Sequence, residues 1–352
     1  MAVRERNRRA RRIAAAMVVA AVCLGVAAGW RGCTPDTRDT VVVYVAHDEM
    51  FARPILDAFE AESGLRVLVQ YDTEASKTTG LVNRLVAERG RPRADVFWNN
   101  EVAQSIRLKR EGVLEPYASP AAAEIPAAFR DPEDYWTGFA ARARVIIYNA
   151  DLVKDPPQSI QELANPEWKG RAAIANPLFG TTATHVSAWF AHWGDDRAQE
   201  FLASVKSNGV AIPPGNAAVR DLVARGEFAW GLTDTDDAHG GVLDGFPVKW
   251  LLPDQDPDGA GLGTLLIPNT VALVRGGPNP DAGRRLIDYL LRPETEAQLA
   301  ASRSLQIPLR DSVSAPDTVP HAGDIDTMTV SFDAIAGKIP AMMDYVQRDF
   351  VP

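Results

Sequence analysis

The segment VVVYVAHDEMFARPILDAFEAESGLRVLVQ, residues 41–70, decides the fold. Its first five residues form a short β-branched run, the composition of a buried strand. Residues 51–63 then place apolar side chains at 51, 55, 56 and 59, a helical spacing that stops at Gly64. Residues 65–70, LRVLVQ, give a second strand. Strand, helix and strand in close succession are the unit of a parallel sheet with crossover helices.

The alternation continues along the chain. Further strands are predicted at 94–98, 143–148, 171–175, 228–232 and 264–274, the last broken at Pro268. Helices are predicted at 78–89, 158–164, 181–193, 196–207, 216–225, 281–291, 294–301 and 330–349, with a Pro- and Asp-rich loop at 311–324. The fold class is α/β. The isolated strand at 143–148 and the Pro-broken strand at 264–274 are placed to pass between two lobes. Two crossings make a hinge, and a cleft between hinged lobes is where small ligands sit.

Composition narrows the function classes. The chain has 352 residues, 46% hydrophobic and 24% charged, which fits about two globular domains and excludes a disordered chain. Residues 1–33 hold seven arginines and one glutamate, a charge of +6, so the rest of the chain carries −15 of the total −9. A body this acidic repels nucleic acid. The basic stretch MAVRERNRRARR precedes the apolar run IAAAMVVAAVCLGVAAGW, which reads as an export signal. A cleaved signal peptide, a retained membrane anchor and lipid attachment at Cys33 are three readings of this segment. Cys23 lies inside the apolar run, so the exported part has no pair of cysteines to bridge.

The chemistry-bearing residues follow predicted strand ends, where ligands meet parallel sheets. His47, Asp48 and Glu49 follow VVVYV, and Asn99, Asn100 and Glu101 follow ADVFW. Each set reads either as a ligand group or as a capped helix start. Asp234, Asp236 and Asp237 follow FAWGL, and three carboxylates in four residues repel one another unless a cation or a helix terminus compensates. Oxygen donors of this kind suit Fe(III), Mn, Ca, Mg or an organic ammonium group. Gly180, Thr181 and Thr182 open a helix whose N–H groups suit an anion. Arg142 and Arg144 alternate on the crossover strand, so one of them is expected to face the cleft and hold an anion or a hinge ion pair. No GxSxG elbow, no phosphate-cradling GxxxxGK[ST] and no Cys–His pair of the exported part is present, which argues against an enzyme.

The order of five motifs resembles a known family. They are residues 41–67, ADVFWNNE at 94–101, GFAARARVIIYNADLV at 138–153, NPEWKGRAAIANP at 165–177 and NAAVRDLVARGEFAWGLTDTDDA at 216–238. Together they resemble the periplasmic substrate-binding proteins of ABC importers, type II architecture, in the ferric-ion-binding branch. The resemblance covers about residues 40–350. It implies a two-lobed fold, each lobe a mostly parallel sheet flanked by helices, with a two-strand hinge. The expected divisions are 40–145 for the first lobe, 146–266 for the second, and 267–352 for the return to the first lobe and the C-terminal helices. It also implies a periplasmic monomer with no covalent cofactor, an inner-membrane ABC permease as partner, and Fe3+ as the transported ligand.

The motifs depart from that branch at the metal site. The family's Tyr pair is replaced by Asp236 and Asp237. Its His falls nearest Asp48, beside His47, and its Glu nearest Asn100, beside Glu101. Its anion-holding positions match Gly180, Thr181, Thr182 and Asn216. A small organic ion, such as a polyamine or 2-aminoethylphosphonate, is therefore the alternative ligand. A ligand-sensing domain of an anchored receptor is the alternative role.

Overall fold

The computed structural model describes residues 39–72, 79–256 and 261–351. The export segment at 1–33 lies outside the described residues. In the opening unit, β1 (Thr40–Val45) and β2 (Arg66–Tyr71) flank α1 (Glu49–Ser63). The helix stops where Gly64 turns left-handed, at φ 70°, and returns its N–H to the Glu60 carbonyl. Next come α2 (Thr79–Glu88), β3 (Val96–Asn99), α3 (Val102–Arg110) and the short β4 (Leu114–Glu115). The 13-residue β5 (Thr137–Asn149) leads to β6 (Ala172–Ile174), α4 (Gly180–Trp193), α5 (Asp195–Ser207) and α6 (Asn216–Ala224). β7 (Trp230–Asp234), α7 (Thr235–Leu243) and β8 (Val248–Leu251) complete the middle of the chain. The chain returns through β9 (Leu266–Val274), α8 (Pro280–Leu290), α9 (Pro293–Ala301) and α10 (Phe332–Tyr345).

The strands order as β2-β1-β3-β9-β5-β7-β6, with β4 on β9 and β8 on β5. Among the strands of the described residues, the parallel pairs are β1–β2, β1–β3 and β6–β7. Each pairing made by β5 or β9 is antiparallel, so the expectation of mostly parallel lobes is corrected at the centre. The physical reason is that β5 and β9 are crossing strands, not members of a strand–helix–strand unit.

The hinge is built from these two strands. β5 pairs with β9 from Thr137↔Val271 to Ala143↔Leu266, and then with β7 and β8 from Arg144 to Asn149. One half of β5 thus serves each lobe. β9 is not broken at Pro268, contrary to the sequence reading. Pro268 lies opposite Ala141, beside a bulge where Ala140 takes φ 51°. Ala141 exchanges both backbone bonds with Ile307, so the donor that proline lacks is not needed there.

α8 and α9 pack with the first-lobe strands, but α10 lies across both lobes, against α4 and α3. Its Ile335 and Met342 join the core of the second lobe, while Ala336 joins that of α2 and α3.

Gly138 marks how tightly the hinge is packed. A Cβ there would sit 2.7 Å from the Phe129 carbonyl oxygen and 3.1 Å from Pro268 Cβ. Gly138→Ala is therefore expected to destabilise by about 1–3 kcal/mol, the range for overpacking. Urea denaturation of the two proteins checks this.

Candidate functional site

Three helices of the second lobe begin at one cavity. α4 starts at Gly180, α6 at Asn216 and α7 just after Asp234, and the residues before them, Phe179, Gly215 and Asp234, give no side-chain cap. The cavity, about 560 Å³, is lined from the first lobe by His47, Asp48, Asn100 and Glu101. Its opposite wall includes Gly180, Thr181, Thr182, Asn216, Asp234, Asp236 and Asp237, and Arg142 lies between. A larger cavity, about 720 Å³, lies between residues 127–136 and 327–333 and holds none of these strand-end groups. The chemistry is in the smaller one.

Asp234 ends β7 fully buried and is held from two sides. Arg144, wholly buried on β5, donates to its Oδ1. Thr181 Oγ1 and Asn216 Nδ2 donate to Oδ2 at 2.7 and 3.0 Å. The same guanidinium donates to Thr181 Oγ1 at 3.2 Å, Thr182 Oγ1 at 3.3 Å and Asn216 Oδ1 at 3.1 Å. Its Nε reaches His185 Nδ1 at 3.3 Å. One ion pair thereby ties the starts of α4 and α6 to β5 and β7. Burial raises the Asp234 pKa, but Arg144, Arg142 and Thr181 outweigh it and hold the carboxyl below its ordinary value.

Asp236 and Asp237 sit in the first turn of α7 under different forces. The ligand oxygens of Asp234, Asp236 and Asp237 lie within 4.8 Å of one another. Arg142 Nη1 donates to Asp236 Oδ2 at 3.2 Å and to Asp234 Oδ2 at 3.3 Å, while Nη2 donates to the Asn100 carbonyl at 2.8 Å. Burial lifts the Asp236 pKa, and Asp234 and Asp48 add repulsion against the pull of Arg142. Burial also lifts Asp237 well above the carboxylate range, with Asp236 and Asp234 adding to it. The triad is thus short of positive charge at its outer end.

Some expected site residues take other roles. Glu49 is exposed, pairs with Arg53 one turn along α1, and does not line the cavity. Arg144 does not face the cavity either. Residues two apart on a strand share a face, so both arginines reach Asp234, and Arg144 lies deeper. The side chains of Thr181, Thr182 and Asn216 form the socket of Arg144 and Asp234 and are not free to grip an anion. The backbone start of α4 at the cavity wall keeps that capacity. Glu101 caps Ala103 and Gln104 at the start of α3 and accepts Thr184 Oγ1 at 2.6 Å, and burial raises its pKa. His47 is buried and stacks on Trp98, a core residue, while Asp48 stands half-buried at the rim.

His185 and Thr184 were not singled out by sequence. His185 is buried beside Arg144, and burial with that positive neighbour keeps it neutral, well below its usual pKa. The available signal was spacing, since His185 lies four residues after Thr181 on one helix face.

Comparison with known proteins fits this geometry. Residues 94–330 match the family of bacterial extracellular solute-binding proteins, and the chain belongs to that family. It is 26% identical over 316 residues to iron uptake protein A1 of Synechocystis sp., covering 86% of this chain and 84% of that one. It is 26% identical over 241 residues to a putative 2-aminoethylphosphonate-binding periplasmic protein of Salmonella typhi, covering 67% and 68%. The fold matches the apo ferric ion-binding protein A of Pasteurella haemolytica with a TM-score of 0.78, at 23% identity, over 89% of this chain and 100% of that one.

Two outcomes are expected. Arg144→Met leaves Asp234 buried and short of its main cation, and should destabilise by about 3–5 kcal/mol in chemical denaturation. Asp237 has a raised pKa in the fold, so its contribution to stability is full below the unfolded value and is lost as pH rises through the folded one. Asp237→Asn should therefore raise Tm at pH near 7, and the gain should vanish towards about pH 4.

Proposed function

We propose that this solute-binding protein captures a ferric ion, together with a small oxyanion, in the interlobe cavity and delivers it to an ABC permease. The observation that carries this is the Asp234–Asp236–Asp237 triad, whose oxygens lie within 4.8 Å of one another. Asp236 and Asp237 are the cation ligands, with Asp48 facing them from the first lobe, and Asp234 supports them from beneath. Carboxylate oxygens are hard donors and favour a small, highly charged cation. Relatives whose names state iron uptake and ferric iron binding support iron over other hard ions. A cavity of about 560 Å³ is far larger than a bare ion, which leaves room for an oxyanion at the start of α4. Closure of the lobes about β5 and β9 would present the loaded form to the permease. The basic and apolar N-terminus would direct export and, if retained, tether the protein to the membrane.

The second reading is an organic ion, with an ammonium group on Asp236 and Asp237 and a phosphonate on Arg142 and the helix start. The Salmonella relative favours it. Calorimetric titration separates the two. Ferric citrate should bind the native protein, and Asp236→Asn with Asp237→Asn should weaken it by more than about 100-fold, beyond the usual effect of outer-shell changes. Binding should also weaken as pH falls, because protonating these raised carboxyls removes the ligands. Among the described residues no tyrosine lines the cavity, so the iron complex should lack a phenolate charge-transfer band in the visible spectrum. Binding of 2-aminoethylphosphonate with no binding of ferric citrate would replace the iron reading with the organic one.

A further inference from the structure

The larger cavity, about 720 Å³, shares no lining residue with the interlobe one and has the size of a small-molecule site. It touches the entry of both hinge strands. Trp136 immediately precedes β5, and Leu265 and Leu266 stand at the start of β9. Beside them Met328 donates its N–H to the Thr264 carbonyl at 3.1 Å. The end near Trp136 is aromatic, since the Phe332 ring centre lies 6.3 Å from that of Trp136 and 6.2 Å from that of Phe129. Arg130 brings a charge to this apolar surface. Its backbone fixes it, donating to the Ala127 carbonyl at 3.2 Å and bridging Thr137 at the start of β5. Its Nε is buried with no hydrogen-bond partner, and so is Nε1 of Trp136, a residue 3% exposed. The acids of the same wall do not compensate Arg130. Asp131 is held by Lys109 at 2.7 and 3.0 Å, Asp333 faces Arg110 at 3.4 Å, and Asp134 is exposed to water. Among the described residues no carboxylate forms an ion pair with Arg130. An unpaired guanidinium and a buried indole N–H at one end of an apolar cavity lack an acceptor that the chain does not supply.

We propose that this cavity is a second binding site, for an organic carboxylate with an apolar body. The carboxylate sits on the Arg130 guanidinium, whose planar fork matches two oxygens, with the Trp136 indole N–H as a further donor. The hydrocarbon or aromatic part covers Phe332, Leu266 and Met328, and its burial supplies most of the binding energy. An inorganic anion would leave that apolar wall uncovered, and a neutral apolar molecule would leave Arg130 unpaired. A cation would be repelled by Arg130. The site is independent of the iron reading, because the two cavities have separate walls. An occupant there would touch the entry of both strands about which the lobes close.

The test is calorimetric titration of the native protein, Arg130→Gln and Ala128→Trp with sodium octanoate and sodium phenylacetate. Sodium acetate, which has the charge without the body, and phenylacetamide, which has the body without the charge, are the controls. The native protein should bind at least one of the two acids, and both controls at least about tenfold more weakly. Arg130→Gln should weaken that binding by about tenfold or more, the scale of a hydrogen bond to a charged group. Ala128 is an exposed lining residue, so Ala128→Trp fills the cavity without entering the core and should also weaken binding. The indole N–H resonance of Trp136, assigned with Trp136→Phe, should shift when the acid binds the native protein. No binding of either acid up to about 10 mM, the affinity expected of a ligand of about ten non-hydrogen atoms, would overturn the proposal. Equal binding by the native protein and folded Arg130→Gln would do the same. So would binding that leaves the Trp136 resonance unmoved, since the acid would then lie elsewhere on the molecule. Near-UV circular dichroism reports whether each variant is folded. Should either variant unfold, the controls and the Trp136 resonance of the native protein decide.

Discussion

The buried pair Arg144–Asp234 is the constraint on which the site depends. A carboxylate wholly removed from water needs full compensation. Here the fold supplies it from one strand and two helix starts. Thr181, Thr182 and Asn216 satisfy the remaining hydrogen-bond capacity, so α4 and α6 begin where this pair allows. His185 completes the ring of partners from the next turn of α4. The pair thus ties the starts of α4 and α6 to Asp234, after which α7 begins, along one wall of the cavity.

This arrangement divides the acidic cluster. Asp234 is ionised and structural. Asp236 and Asp237, one turn outward, carry repulsion that the fold relieves only in part, through Arg142. On the proposed reading, such unrelieved charge is a cost in the empty protein that a bound cation would remove. Stability and binding are coupled through the same two side chains, since whatever binds only the folded form stabilises it.

Much of the fold was legible because it is written in period and punctuation. The β-branched run at 41–45, the helical spacing to Gly64 and the strand at 65–70 each carry local signals, and the crossing role of β5 follows from an apolar run without turns. Pro268 misled because the rule against proline in a ladder assumes a regular partner strand. The bulge at Ala140 and the exchange with Ile307 are tertiary facts with no local trace. The position of α10 across both lobes was illegible for the same reason.

At the site, sequence singled out the strand-end acids but not their division of labour. That Arg142 and Arg144 share a face follows from strand geometry alone, and of the two it is Arg142 that lines the cavity. That Arg144 is sealed while Arg142 is not depends on depth in the sheet, which pattern does not encode. Glu49 illustrates the converse: an acid in the right motif pairs with Arg53 along its own helix.

The central claim is that the cargo cation sits on Asp236 and Asp237 above the Arg144–Asp234 pair. Anomalous diffraction at the iron edge, from crystals grown with ferric citrate, tests it most directly. The account predicts one strong peak in bonding contact with the carboxylates of Asp236 and Asp237, with Asp234 still held by Arg144. A peak elsewhere on the molecule, or iron bound while both carboxylates remain on Arg142 and solvent, would contradict it.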